Sequence, residues 1–442
     1  MGKRESEIKT NKWIFQLKLY WQMIELNELS KVGFGGYRIS STSKENFDAL
    51  NAAIQSGCNL IDTASNYTDG ESEKLVGEIF NSFPREKIFV ITKAGYISGK
   101  NLAHFKSLNK KGAALNDVVK ISESFEHSIH PDYLKIQIEI SLKRLNTSFL
   151  DGFLLHSPEY FFDDQFQKEP HEEYYRRIKK AFEFLEEMVE IGKIRCYGVS
   201  SNTFTIDSSS KKATDLRKVI AISNLVRANS NFKLIQLPYN LIENKPSSYY
   251  VDNQNLINVA KTSDLTIISN RPLNAMTDSG LLRLGSYRVL EKGYDTENDD
   301  AYSDFVKSIE GTITEKYGDI TLEEIEILSY TKRNWKSIDN LDVFNAVFDG
   351  ILWQFLTTIF DEEIPKQTSH LFTKLKSSAW DHYLQTVSSQ ITPYLESQGI
   401  SLPKSNESLP QILMRRYLDN GIDHVLCGIT KPKYVQDYVG FF

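Results

Sequence analysis

Four side chains in this sequence have the types and the spacing to move a proton onto a carbonyl oxygen. Asp62 and Tyr67 lie five residues apart in Ile61-Asp62-Thr63-Ala64-Ser65-Asn66-Tyr67, where an apolar run gives way to a turn. Lys93 closes the run Val90-Ile91-Thr92-Lys93, and His156 closes Phe153-Leu154-Leu155-His156. A free phenol, with a pKa of about 10, is a weak acid at neutral pH. A neighbouring ammonium favours its phenolate and lowers that pKa, a carboxylate holds the ammonium, and an imidazole can orient a carbonyl. Such a set hands a proton to a forming alkoxide, which is half of a carbonyl reduction. The other half is a hydride; no side chain provides one, so a nicotinamide cofactor is implied. Taken singly, each residue has an ordinary structural role as a cap, a packed ring or a solvated charge. Their recurrence at the ends of successive or near-successive apolar runs is what points to a site.

The elements that must position these residues alternate. Short apolar runs at 31–34, 58–62, 88–93, 151–155, 195–199, 233–237 and 265–269 read as strands. Between them, amphipathic stretches at 44–56, 71–81, 131–145, 172–191, 211–228 and 253–262 read as helices, Ser43 capping the first and Gly57 and Gly192 ending the first and fourth. An eighth strand at 423–427 is followed by a helix from 431. This α/β rhythm predicts a (β/α)8 TIM barrel, and a doubly wound open sheet gives the same local pattern. In a barrel, residues at the C-terminal ends of different strands converge on one pocket, and Asp62, Lys93 and His156 all occupy such ends.

Two segments interrupt the rhythm. Residues 95–130 read as a long loop after the third strand. Residues 283–405 hold several helix-like stretches and no convincing strand, and Trp335, Trp353, Trp380 and other aromatics suffice to form a small core or to pack over a barrel mouth; this is a helical insertion between strands 7 and 8 of a single domain spanning 1–442. In a barrel, both segments belong to the catalytic face. Residues 343–360 read as a buried helix, since Asn345, Asp349, Gly350 and Gln354 break a run that would need about 20 nearly uninterrupted apolar residues to span a bilayer. At the N-terminus, Phe15, Leu17, Leu19, Trp21 and Met23 alternate with polar residues, as in a strand or hairpin. Met1-Gly2-Lys3-Arg4-Glu5-Ser6 fits the minimal myristoylation pattern, but so short a pattern recurs by chance and the segment reads as a polar, frayed terminus.

The bulk composition narrows the partners. A net charge of -6 over 442 residues, with lysines scattered among glutamates, gives no basic stripe for nucleic acid. Three widely spaced cysteines, Cys58, Cys196 and Cys427, read as small core residues in a reducing, cytoplasmic compartment and not as a disulfide or zinc framework. Gly33-Phe34-Gly35-Gly36 lacks the third glycine of a dinucleotide fingerprint, which counts against an open-sheet dehydrogenase. His171-Glu172-Glu173 has no second histidine at metal spacing and starts a charged helix. His104, His127 and His130 in the long loop could reach the pocket, although surface histidines are commoner.

Read in order, the motifs resemble the aldo-keto reductase family. The resemblance runs through Val32-Gly33-Phe34-Gly35-Gly36, Asp62-Thr63-Ala64 with Tyr67, Gly70-Glu71-Ser72-Glu73 with Gly77, and Thr92-Lys93. It continues through Ser141-Leu142-Lys143-Arg144-Leu145, Asp151 to His156, Gly192 to Ser200, Gln236 with Tyr239-Asn240, and Pro272-Leu273. It covers residues 29–282 and 407–440. It implies a barrel binding NADP(H) in extended form, with Asp62, Tyr67, Lys93 and His156 as a catalytic tetrad and Tyr67 as general acid. It further implies Ser200, Ser201 and Gln236 around the nicotinamide amide, and Gly35, Asn270, Pro272 and Leu273 beside the cofactor. Gly428, Thr430 and Lys431, in the loop opening the last helix, would hold the adenosine phosphate. Three departures stand out: Asn270 where many relatives stack an aromatic ring, Tyr434 and Tyr438 at the adenine end, and the helical insertion. NAD(H) therefore stays open beside NADP(H).

The function expected is NAD(P)H-dependent reduction of an aldehyde, ketone or sugar-like carbonyl. The alternative is a cofactor-binding regulatory or scaffold protein that engages a protein partner through 283–405. No nucleic-acid partner and no membrane span are expected.

Overall fold

Eight apolar runs pair edge to edge, all parallel, and close into a barrel. They are β1 (Val32–Gly35), β2 (Leu60–Asp62), β3 (Phe89–Ala94), β4 (Leu150–His156), β5 (Ile194–Ser200), β6 (Phe232–Pro238), β7 (Thr266–Asn270) and β8 (His424–Cys427). Their order around the barrel is β1-β8-β7-β6-β5-β4-β3-β2, which is chain order closed on itself and excludes the open sheet. The computed structural model describes residues 23–110, 115–163, 171–205, 210–251, 253–277, 280–285, 300–318, 320–361, 363–397, 399 and 408–442. The N-terminal strand or hairpin expected before residue 23 and the myristoylation pattern lie outside the described residues.

Strands covered on both faces need no polar alternation, and β2, β3 and β4 are buried along their whole length. The helices between them are α1 (Lys44–Gln55), α2 (Glu71–Ile79), α3 (Pro131–Arg144), α4 (His171–Glu190), α5 (Leu216–Val226) and α6 (Leu256–Thr262); α7 (Leu409–Asp419) precedes β8. Ser43 caps α1 through the Asn46 amide, and Gly57 and Gly192 follow α1 and α4. The fifth helix starts at Leu216 and not at 211, because the Asp215 carboxylate accepts from the Arg217 amide and makes the cap. At the N-terminal end of the barrel, Leu29 packs with Leu60, Phe89, Ile91, Leu154, Leu234, Ile268 and Leu426. Asp151 is held there between Arg85 at 2.6 Å and Arg195 at 3.0 Å.

Two expectations about the segments outside the barrel need correction. Residues 95–130 are not a loop: Tyr96–Ser98, Phe125–His127 and Val119–Ser122 form an antiparallel sheet with Phe125–His127 in the centre, and Gly99–Lys110 is a helix. Three- and four-residue strands carry too little alternation to be read from sequence. The last helix, expected from 431, is a 3-10 turn over Pro432–Asp437.

The chain divides into two compact units, Met1–Pro272 with Pro410–Phe442, and Leu273–Leu409. The second unit opens on a hairpin, Asn274–Thr277 with Gly280–Arg283, and continues in helices that bury Phe305, Ile309, Phe348, Leu352, Leu356 and Leu375. The stretch expected as a buried helix is helical from Leu341 to Ile359 but amphipathic: Val343, Ile351 and Trp353 are exposed on it, and the polar interruptions lie on or beside that face. Among the described residues no helix is long and apolar enough to cross a membrane.

Candidate active site

Asp62 ends β2 and Lys93 lies near the end of β3, so the pairing of these strands sets both at one end of the barrel. The Lys93 ammonium has three N–H groups and three acceptors: Asp62 Oδ2 at 2.7 Å, the Thr63 carbonyl at 2.9 Å and the Tyr67 hydroxyl oxygen at 3.1 Å. Both charges are buried, Lys93 completely. Burial raises the Asp62 carboxyl and lowers the Lys93 ammonium from their ordinary values, while their mutual attraction opposes both shifts. Each N–H of the ammonium has a matched acceptor, which favours its charged form against the cost of burial.

The Tyr67 phenol behaves differently from the sequence expectation. Burial pushes it well above its ordinary value, and the negative charge of Asp62 adds to the rise. The ammonium lies close, yet its effect does not prevail while Asp62 balances its charge. Tyr67 is therefore held as a protonated phenol, its oxygen 3.1 Å from Lys93 Nζ.

The turn that carries Tyr67 is under local strain. Thr68 and Asp69 adopt left-handed backbone angles, φ 45° and 59°, and Gly70 follows at 89°. Each non-glycine residue there costs about 1 kcal/mol or more, so the turn needs outside support. Thr68 Oγ1 donates to the Ile39 carbonyl at 2.6 Å, and the Lys100 amide donates to Asp69 at 3.0 Å. Beneath it, Arg144 donates to the Ser65 carbonyl at 3.0 Å and to buried Glu73 at 3.1 Å, and Thr92 Oγ1 donates to the same carboxylate at 2.7 Å. A Cβ on Gly70 would fall 2.4 Å from the Arg144 guanidinium carbon. The Gly70-to-Glu73 motif is thus a clamp on the turn.

His156 ends β4, and its ring lies 5.9 Å from the Tyr67 ring and 4.5 Å from the Tyr96 ring, centroid to centroid. Burial, then the Lys93 and His127 charges, lower its pKa well below the ordinary value, so it is a neutral imidazole at physiological pH. Tyr37 stands edge-on to Tyr67 at 5.1 Å.

The residues assigned to the cofactor divide into groups. Gln236, at the mouth end of β6, donates from Nε2 to Asp62 Oδ1 at 2.7 Å; its Oε1 accepts from Ser200 Oγ at 3.1 Å and from Asn270 Nδ2 at 3.3 Å. Ser200, Gln236 and Asn270 are therefore joined through Asp62 to Lys93 and Tyr67. Ser201 is not: its hydroxyl engages Thr203 and Thr214, and it also accepts from the Thr203 amide in a local turn. Gly35 and Gly428 meet at the ends of β1 and β8, with a Cβ on Gly35 3.6 Å from the Gly428 nitrogen. Thr430 lies beside α1, where its carbonyl accepts from Asn46 Nδ2 at 3.0 Å, and Lys431 Nζ is 3.8 Å from Glu45. The Pro272 carbonyl accepts from Tyr417 at 3.0 Å, and Leu273 is the first residue of the second unit.

Tyr434 and Tyr438, expected at the adenine end, differ in burial, the first exposed and the second covered. Asn270 Oδ1 is buried with no protein partner among the described residues, an acceptor of the kind an amide-bearing ligand satisfies. Two residues of this end of the barrel, Tyr96 and Tyr37, escape sequence reasoning. Tyr96 and His127 lie in a segment read as a loop, and His127, weighed between pocket and surface, is 2% exposed. Tyr37 carries no motif of its own. Among the described residues no group of His, Cys, Asp and Glu could hold a metal ion.

Comparison with known proteins places these features in context. The model described as "Aldo/keto reductase family" matches residues 31–332. "Aldo-keto reductase YhdN" of Bacillus subtilis is 27% identical over 223 residues, covering 49% of this chain and 52% of that protein. "NADH-specific methylglyoxal reductase" of Escherichia coli is 27% identical over 181 residues, covering 39% of this chain and 48% of that protein. The chain thus spans about half the length of these curated relatives. Among solved structures, the holo form of aldo-keto reductase AKR11C1 from Bacillus halodurans is 15% identical, with a TM-score of 0.49 over 93% of this chain and 86% of that one.

Proposed function

The chain belongs to the aldo/keto reductase family, and on that premise we propose that it is an NAD(P)H-dependent oxidoreductase that reduces a small carbonyl compound, with Tyr67 as general acid. The observation that carries this reading is the Lys93 ammonium, which joins Asp62 to the Tyr67 hydroxyl with every N–H used. A substrate oxygen placed between Tyr67 and His156 accepts the phenolic proton as the carbonyl carbon is reduced. The charge left on the Tyr67 oxygen falls 3.1 Å from Lys93, where it is stabilised as it forms. Neutral His156 can hold the carbonyl oxygen without competing for the proton.

The hydride that completes the reduction is the contribution of a reduced nicotinamide. Ser200 and Asn270, the latter with its unpartnered Oδ1, are the residues suited to its carboxamide. Lys431 and the loop from Gly428 are suited to a phosphate. Gln236 acts between the two ends of the site, because both its amide atoms are already bonded to other members of the network.

The test is a fluorescence titration with NADPH and NADH, followed by turnover on a panel of aliphatic aldehydes, nitrobenzaldehyde, a dicarbonyl such as methylglyoxal, and aldoses. Binding of at least one nucleotide and turnover of at least one carbonyl are expected. Failure of both would refute the proposal.

A further inference from the structure

The excursion after β3 reaches the reaction centre through one histidine. The ladder between β3 and β4 ends with Ala94 opposite Leu155. The chain then leaves the barrel at Gly95, so the next carbonyl of β4, that of His156, lies beyond the paired residues. His127, in the central strand of the antiparallel sheet, fills that place: its Nε2 is 2.8 Å from the His156 carbonyl oxygen. A carbonyl can only accept, so the proton of His127 sits on Nε2. Gly95 makes the approach possible, since a Cβ there would fall 2.3 Å from the His156 oxygen and 2.6 Å from His127 Nε2.

The His156 ring lacks the support that usually orients a functional imidazole, a hydrogen bond on its other nitrogen. Its Nδ1 is buried and has no partner among the described residues. The ring is held by packing, 4.5 Å from Tyr96. Tyr96 is itself fixed at both ends, its hydroxyl donating to Ser157 Oγ at 3.2 Å and its carbonyl accepting from Tyr133 at 2.7 Å. Immediately after His156 the backbone turns, with Ser157 at φ 50° and its amide donating to the Ser200 carbonyl at 2.7 Å. The His156 peptide is therefore pinned on one side by β5 and on the other by His127.

We propose that His127 is a positioning residue, which fixes the His156 imidazole by bonding its backbone carbonyl while Tyr96, from the neighbouring strand of the same sheet, braces the ring. This rests on the reading of His156 as part of the active site. A displacement of about 1 Å at a reacting group costs up to about a hundredfold in rate, so a support of this kind has a measurable consequence.

The experiment uses the full chain labelled at its histidines, of which there are eight, and follows the His156 ring signals by NMR beside kcat for NADPH and nitrobenzaldehyde. His127→Met keeps the side-chain length but removes the donor; His127→Gln keeps a donor. Expected are a shifted or broadened His156 signal and a kcat lower by about tenfold or more in His127→Met, with KM for NADPH unchanged, and recovery of both in His127→Gln. An unmoved signal in His127→Met, or a Gln variant as impaired as the Met variant, overturns the proposal. Tyr96→Leu removes the brace while keeping the His127 donor, and must also move the His156 signal; an unmoved signal there overturns the proposal even where His127→Met does not fold. An inactive wild type would count against the proposed activity, while the NMR comparison still decides the role of His127.

Discussion

Gln236 and Asp62 face each other across the barrel, and the Gln236 amide donates to Asp62 Oδ1 at 2.7 Å. Their strands, β6 and β2, stand four places apart in a ring of eight, so this bond spans the barrel's mouth end. It makes one network of two groups that the motifs present separately, with Lys93 and Tyr67 on one side and Ser200 and Asn270 on the other.

Replacing Gln236 by Leu leaves one buried oxygen of Asp62 without its donor. The expected loss is about 1–3 kcal/mol of stability, read from urea denaturation, together with weaker nucleotide binding. Unchanged stability would show that Asp62 finds another partner.

The clamp beneath the Tyr67 turn predicts a larger effect. Glu73 is fully buried and pairs with Arg144 at 3.1 Å, so Arg144→Met strands a carboxylate and costs about 3–5 kcal/mol. Glu73→Gln in the same chain should restore much of that loss. Urea midpoints of the two variants decide the point, and a double variant no more stable than Arg144→Met would contradict it.

Acid sensitivity follows from the buried histidines. Burial lowers His127 to about 4, against about 6.5 in an unfolded chain. Between those values the unfolded chain binds a proton that the folded one refuses, so the stabilising contribution is complete above the upper value and is lost as pH falls toward the lower. His156, shifted in the same direction, adds to the slope. Asp62 and Glu159, raised by burial, oppose it, so the comparison of variants isolates the histidine. His127→Gln should flatten the fall in stability between pH 6.5 and pH 5 by up to about 1.4 kcal/mol per pH unit, measured by denaturation at both values. An identical slope in both proteins would show that His127 is not held neutral.

The barrel was legible in the sequence because its strands are apolar runs separated by amphipathic helices; Ser43, Gly57 and Gly192 mark ends that the fold keeps. The Lys93, Asp62 and Tyr67 cluster was legible because strand ends converge in such a fold. What sequence could not show lies where local pattern is weak or misleading. The Phe125–His127 strand is too short to alternate, so the burial of His127 did not show. The 343–360 helix looked buried because its apolar content is high, yet the exposed faces of Ile351 and Trp353 are hydrophobic too. The effect of Lys93 on Tyr67 also depended on a balance, burial and Asp62 against one ammonium, that spacing does not reveal.

With the Tyr67 hydroxyl as proton donor, Tyr67→Phe removes the one group from which the proton comes. The Phe variant keeps the ring and its packing but leaves Lys93 one acceptor short. With a carbonyl substrate that the wild type reduces, kcat is expected to fall by about 10²–10⁴-fold, with the nucleotide dissociation constant within about twofold of wild type and NMR or circular dichroism unchanged. A Phe variant that turns over at the wild-type rate would contradict the account.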